Sequence, residues 1–317
     1  MKQFIEHTEL ARDRRFVRNN ASNQLFLNLP NDSEAIVKLV EQLAPMIWER
    51  VQGTPLEAVY DRLGPGFMLS QNFQPLAPES PDLDLRLKLR LHGIFVGELQ
   101  ALEGAGRSLW DFPEAPWEFK LNMARQCWDE ARHVQIYEKL LSGVGAEPGD
   151  YPESTFLFEA CCADDPALRV AGVNRGLEGL ACDVFRDMIE FSKKVDDSVM
   201  EQAIDFVLAD ELTHVRFGSE WVKEFTRQDP ERALRAREYQ KEVDRQFSFG
   251  GARSDREDAG IRIAWEDRKE AGFTEEELRE LADLSAEGPK RETLMHAAEV
   301  LRQRHLEKLQ SGTAAGR

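Results

Sequence analysis

Only four cysteines occur in this 317-residue chain, Cys127, Cys161, Cys162 and Cys182, and no two stand in Cys-x-x-Cys spacing. That argues against a thiolate zinc site or an electron-transfer iron held by paired cysteines. Unspaced cysteines, with no apolar signal core after Met1, lead us to expect a reduced, cytoplasmic setting. Positive charge is also scarce: 41 Lys and Arg stand against 58 Asp and Glu, a formal net charge of −17. Phosphate backbones and anionic lipid are bound through Lys/Arg surfaces, so neither nucleic acid nor membrane is expected as a partner. The local cluster Arg12, Arg14, Arg15 and Arg18 is read as a solvated helix face. No apolar run approaches the roughly 18 residues of a membrane-spanning helix. What remains, 42% hydrophobic and 31% charged, suits a soluble chain with a sizeable core.

The periodicity reads as helix almost throughout. Asp32-Ser33 caps a segment reaching about Gln52, with Ile36, Val37, Val40, Leu43 and Ile47 in helical spacing. A Pro/Gly-rich stretch from Gly64 to Pro81 follows. Leu83, Leu85, Leu87, Leu89 and Leu91 alternate as a strand would, but a lone strand has no partner here, so a helix over about 84–109 is expected. Further helices are expected over about 114–141, 166–194 and 197–226, then charged helical segments broken at Gly250-Gly251, and a frayed tail over 312–317. The expected class is all-α. Residues 1–82 are expected to form an N-terminal helical arm, 83–228 a four-helix bundle, and 229–317 a C-terminal helical extension packing on it.

Against this background one motif occurs twice, 81 residues apart: Asp129-Glu130-Ala131-Arg132-His133 and Asp210-Glu211-Leu212-Thr213-His214. A lone glutamate precedes each, Glu98 by 32 residues and Glu178 by 33. On a helix, residues i and i+3 share a face, so Glu-x-x-His aims a carboxylate and an imidazole the same way. Two such helices, faced by two more that each carry an inward glutamate, converge six ligands on one axis, the ligand set of a two-metal centre in a four-helix bundle. Chance alone would give two Glu-x-x-His pairs in roughly one such chain in seven; an Asp before both lowers that by a further factor of about 200. Glu98, Glu130, His133, Glu178, Glu211 and His214 are therefore the candidate metal ligands. Carboxylate-rich sets with one imidazole per metal favour iron or manganese over zinc: two irons, a Mn/Fe pair or two manganese ions.

The neighbouring residues fit the same reading. Metal-bound histidines usually donate their second ring N–H to a carboxylate. Asp129 and Asp210 are candidates, each for the histidine of the opposite motif, and Arg132 can pair with one of them. Gly93, Gly97, Gly176 and Gly179 flank the lone glutamates. Each costs about 1 kcal/mol in a helix interior relative to alanine, so either close packing or space beside the metals is expected to offset them. Trp128 falls off the ligand face and is expected to pack outward on a neighbouring element.

Over residues 84–227 the chain resembles the ferritin-like di-iron carboxylate superfamily, whose pattern Glu, Glu-x-x-His, Glu, Glu-x-x-His is matched by Glu98, Glu130/His133, Glu178 and Glu211/His214. Asp-Glu-Ala-Arg-His is similar to the signature of its oxygenases and desaturases. The resemblance implies a ferritin-like bundle and an oxidoreductase, with dioxygen as co-substrate and a small organic molecule as substrate. Hydroxylation, N-oxygenation and desaturation all remain open. Residues 1–82 and 229–317 then suit the walls of a substrate pocket better than a storage shell. An external ferredoxin or reductase is expected as electron donor, and a homodimer as the assembly. Two alternatives stay open: an iron-handling or oxidative-stress protein, and a radical-generating subunit like that of ribonucleotide reductase. The second draws on Tyr137, one turn after His133 on the same face, where that subunit keeps a redox-active tyrosine.

Overall fold

The computed structural model describes residues 29–72, 76–80, 82–151, 155–247, 253–256, 259–286 and 288–311. The Arg12–Arg18 cluster, the Gly250-Gly251 break and the 312–317 tail lie outside them. The architecture is all-α apart from one short strand pair.

Helix α1 spans Ser33–Val51. The Asp32 carboxylate accepts from the amides of Glu34 (2.9 Å) and Ala35 (3.3 Å), satisfying two of the free donors at its start. Ile36, Val37, Val40 and Ile47 form its buried stripe. Short helices α2 (Glu57–Leu63) and α3 (Phe67–Asn72) follow, joined by a 3-10 turn at Gly64–Gly66.

Four segments position the site. Helices α4 (Leu83–Asp111) and α5 (Trp117–Gly143) pack along each other as one hairpin. The alternating leucines belong to α4: Leu83, Leu85, Leu87 and Leu89 all pack on the core because this helix meets neighbours on several sides. After α6 (Phe156–Ala160), one continuous rod runs through α7 (Pro166–Val170), a π-helical segment (Ala171–Leu177) and α8 (Glu178–Lys194). Helix α9 (Ser198–Thr226), capped by Asp197, folds back on α8 as the second hairpin, and α5 packs on α9 where the hairpins meet.

The remaining elements brace this arrangement. Helix α10 (Pro230–Gln246) lies on α7, the π segment and α9. Strands β1 (Arg253–Ser254) and β2 (Ile261–Arg262) pair in parallel, Arg253 opposite Ile261, and β2 touches α8. Helix α11 (Trp265–Glu270) sits on α8 and α9, and α12 (Glu275–Ala286) on α10. Helix α13 (Arg291–Gln310) instead packs on α1, α2, the 3-10 turn and α3. There the backbone approaches so closely that a Cβ on Gly66 would meet the Ala298 carbonyl oxygen and the Leu301 Cβ at 2.9 Å. The first and last helices of the described chain thus form one layer. Among the described residues no helix is long and apolar enough to cross a membrane.

Candidate metal centre

Each motif arrives as one helical turn. On α5 the His133 Nδ1 lies 3.0 Å from Glu130 Oε2, and on α9 the His214 Nδ1 lies 3.0 Å from Glu211 Oε2. Across the interface, His133 Nδ1 is 3.1 Å from Glu211 Oε1, and His214 Nδ1 is 3.2 Å from Glu130 Oε1. Glu98 reaches in from α4, 3.4 Å from His133 Nδ1. Glu178 comes from the first residue of α8, directly after the π segment. Wide π turns recur at functional sites because they re-aim side chains without ending the helix.

The six side chains fall into two overlapping sets, Glu98/Glu130/His133/Glu211 and Glu130/Glu178/Glu211/His214. Within each set, one ligand atom per residue lies within 4.8 Å of all the others. Glu130 and Glu211 belong to both, while Glu98 and Glu178 each belong to one. All six are buried, four of them at zero exposure.

Burial and the mutual charges of the cluster compete in setting its electrostatics. Desolvation pushes the Glu98 and Glu178 carboxyls well above the usual carboxylate range, and the neighbouring glutamates add to it. Burial acts the same way on Glu130, but His214 and His133 outweigh it and hold that group low. Burial alone would lower both imidazoles; Glu130, Glu211 and Glu98 raise His133 instead, and Glu211 and Glu130 raise His214. The cluster therefore gathers protons wherever a cation would relieve the same repulsion. Four carboxylates and two neutral imidazoles carry a formal charge of −4, which two divalent ions would cancel. Glu211 Oε1 is buried, and the one polar group the structure sets against it is His133 Nδ1 at 3.1 Å, itself a candidate ligand atom.

The far side of each imidazole meets an aspartate of the other motif: His214 Nε2 lies 3.2 Å from Asp129 Oδ2, and His133 Nε2 lies 3.3 Å from Asp210 Oδ2. This leaves Nδ1 facing the carboxylates on both rings. Arg132 donates through Nη2 to Asp129 and, at 3.0 Å, to Asp210, tying the two aspartates together. Burial works to raise Asp129, but its bonds to His214 and Arg132 prevail and hold it low. Tyr137 is fully buried, stacked on Phe185 at 5.8 Å between centroids, and its hydroxyl has no hydrogen-bond partner among the described residues.

Two residues of the site escape a motif-based reading. The Gln126 Nε2 donates to Glu178 Oε1 at 2.7 Å and to Glu130 Oε1 at 3.2 Å. Asn174 Nδ2 donates in turn to Gln126 Oε1 at 2.8 Å and to the His214 carbonyl at 3.3 Å. Each stands four residues before a candidate glutamate ligand, so the i, i+4 rule was a usable signal for both.

The glycines divide. A Cβ on Gly179 would meet Arg268 Nη1 at 2.6 Å, and one on Gly176 would meet Val243 at 3.2 Å, so close packing accounts for these two. Gly93 and Gly97 face no such contact. Trp128 does lie off the ligand face, but it is 67% exposed rather than packed on a neighbouring element.

No curated protein and no solved structure matches this chain. One family model does, over residues 75–279, a stretch that takes in all six candidate ligands, both hairpins and the bracing helices α10 and α11. The chain therefore belongs to the family described as protein of unknown function (DUF455).

Proposed function

We propose that this chain is a ferritin-like dinuclear metalloenzyme, a four-helix bundle that binds two iron ions and activates dioxygen to oxidise a small organic molecule. One observation carries the reading: the two candidate ligand sets overlap in Glu130 and Glu211, so these two residues would help to hold both ions. Glu98 and His133 complete one position, Glu178 and His214 the other. The carboxylate-rich donor set favours iron or manganese. Bound iron would supply the dioxygen reduction that hydroxylation, N-oxygenation or desaturation requires. The chain's own residues do the rest. Asp129 and Asp210 hold the imidazoles with Nδ1 inward, and Arg132 locks the aspartates. Burial of all six ligands keeps bulk water away from the centre.

The test is an anaerobic Fe(II) titration of the full chain followed by rapid mixing with dioxygen. Saturation at two irons per chain, with a transient visible absorbance on mixing, is expected. Uptake continuing well past two would replace the enzyme with an iron store, and no uptake at all would overturn the metal reading. Tyr137 favours one second reading, a radical-generating subunit, because its buried, unbonded hydroxyl feels the charges of Glu98 and Glu211. Tyr137→Phe should leave the oxygen reaction largely intact. Its loss, together with a tyrosyl radical signal seen only in the wild type, would favour the second reading.

A further inference from the structure

The two halves of the ligand set repeat in sequence, yet their surroundings do not. Moving by the motif offset of 81 residues, Gln126 on α5 corresponds to Val207 on α9. Moving by the 80 residues between the lone glutamates, Asn174 corresponds to Ile94. The amide pair beside Glu178 is thus replaced at the corresponding positions of the other half by two aliphatic residues, and Val207 is fully buried. Tyr137 corresponds to Gly218 by the same 81-residue step. That glycine makes room for the amide pair, since a Cβ there would meet the Asn174 Cβ at 2.6 Å. Three positions change together, and all three favour amide contacts at one end only.

The amides form a directed chain. The Asn174 NH2 has acceptors in Gln126 Oε1 and the His214 carbonyl, so Gln126 must present its own NH2 to Glu178 and Glu130. Glu178 is therefore held in place before any ion arrives. Glu98 has His133 as its polar partner, itself a ligand, and no amide stands beside it among the described residues.

We propose that Gln126, oriented by Asn174, is a positioning residue that makes the two metal positions unequal. The Glu178/His214 position binds first and more tightly, because its carboxylates need less ordering on binding. The Glu98/His133 position, beside Tyr137, fills second. This inference rests on the metal reading above and adds an order of loading to it.

Anaerobic Mn(II) titration of the full-length chain, with free Mn(II) read from its electron paramagnetic resonance signal, tests it. Two resolved steps are expected, the tighter lost in Glu178→Ala and the weaker in Glu98→Ala. Gln126→Met, near in shape but unable to donate, should weaken the tighter step by about 10- to 100-fold, as loss of a partner behind a ligand usually does. It should affect the weaker step much less, because only the longer bond of Gln126 goes to the shared Glu130. Asn174→Ala should act in the same direction and more mildly, which keeps the test open if Gln126→Met misfolds. Two equal steps in the wild type, or a Gln126→Met effect on both steps alike, would overturn the inequality and leave the two-metal reading standing. An absence of Mn(II) and Fe(II) binding in the wild type would overturn both.

Discussion

Two clusters of buried charge lie along the same helix, α8, and they are balanced in opposite ways. Around Asp183, the chain supplies both signs. Arg268 donates to its two oxygens at 2.9 and 2.7 Å, the Ala264 amide adds a bond at 2.8 Å, and Arg253 reaches Asp244 at 3.1 Å. Asp183, Arg253 and Arg268 are all fully buried. Around Glu178, five residues earlier, four glutamates converge, and among the described residues no lysine or arginine pairs with any of them. Arg132 stops at the aspartates behind the imidazoles. The first cluster is an internal ion-pair network in which Arg253 and Arg268 balance the charges of Asp183 and Asp244. The second has the composition of a ligand set, with an excess of carboxylate that cations could balance. Buried charge is therefore not one signal; what identifies the site is the side whose counter-charge is missing.

The largest effect should come from breaking the ligand set at a shared residue. Glu130→Ala removes a member of both groups, so bound metal should fall from two per chain to none, read by elemental analysis after anaerobic desalting. The same substitution should also remove the metal-dependent rise in stability, about 2.7 kcal/mol for wild type at free metal 100 times the dissociation constant. Retention of both ions would remove Glu130 from the ligand set. Next comes the ion-pair network. Asp183→Ala strands the Arg268 guanidinium without its carboxylate, a change that costs about 3–5 kcal/mol when the pair is buried. Chemical denaturation should show that loss, while the folded fraction still takes up two ions. An unchanged denaturation midpoint would mean that the network is dispensable.

That contrast also explains what could be read from the sequence. The helices expected over 84–109, 114–141, 166–194 and 197–226 end within three residues of those observed, because apolar period, caps and Pro/Gly breaks are local signals. Within each Glu-x-x-His pair the two residues share a face for the same reason, i, i+3 spacing being local geometry, whereas the repeat of that pattern with a lone glutamate ahead of each pair suggests that all six converge. The rest was set by distance in sequence. Arg268 is 85 residues from Asp183 and reads in the chain as one more surface charge. The β1–β2 pair depends on where the chain passes α8, not on strand propensity in Arg253-Ser254. The π segment leaves no mark in Ala171–Leu177 that an α-helix would not also carry. The i, i+4 spacing of Gln126 ties it to Glu130, but its shorter bond, to Glu178, depends on that residue's arrival from another hairpin.

The smallest effect sharpens the comparison from the ion-pair side. Asp187 lies one turn beyond Asp183. Burial pushes its carboxyl up to about 6, with Arg90 opposing and Asp183 reinforcing the rise. Because the folded value is raised, the folded chain keeps a proton between about 4 and 6 that the unfolded chain has released. The stability this contributes is fully present below about 4 and is lost as pH rises through 6. The full shift corresponds to about 3 kcal/mol. Water reaching the partly exposed side chain reduces this to about 1 kcal/mol. Asp187→Asn should raise stability by that amount at pH 7 and leave it nearly unchanged at pH 4, as measured by denaturation at both values. An equal gain at both pH values would mean that packing, not charge, governs this position, and that the ion-pair network is already saturated at Asp183.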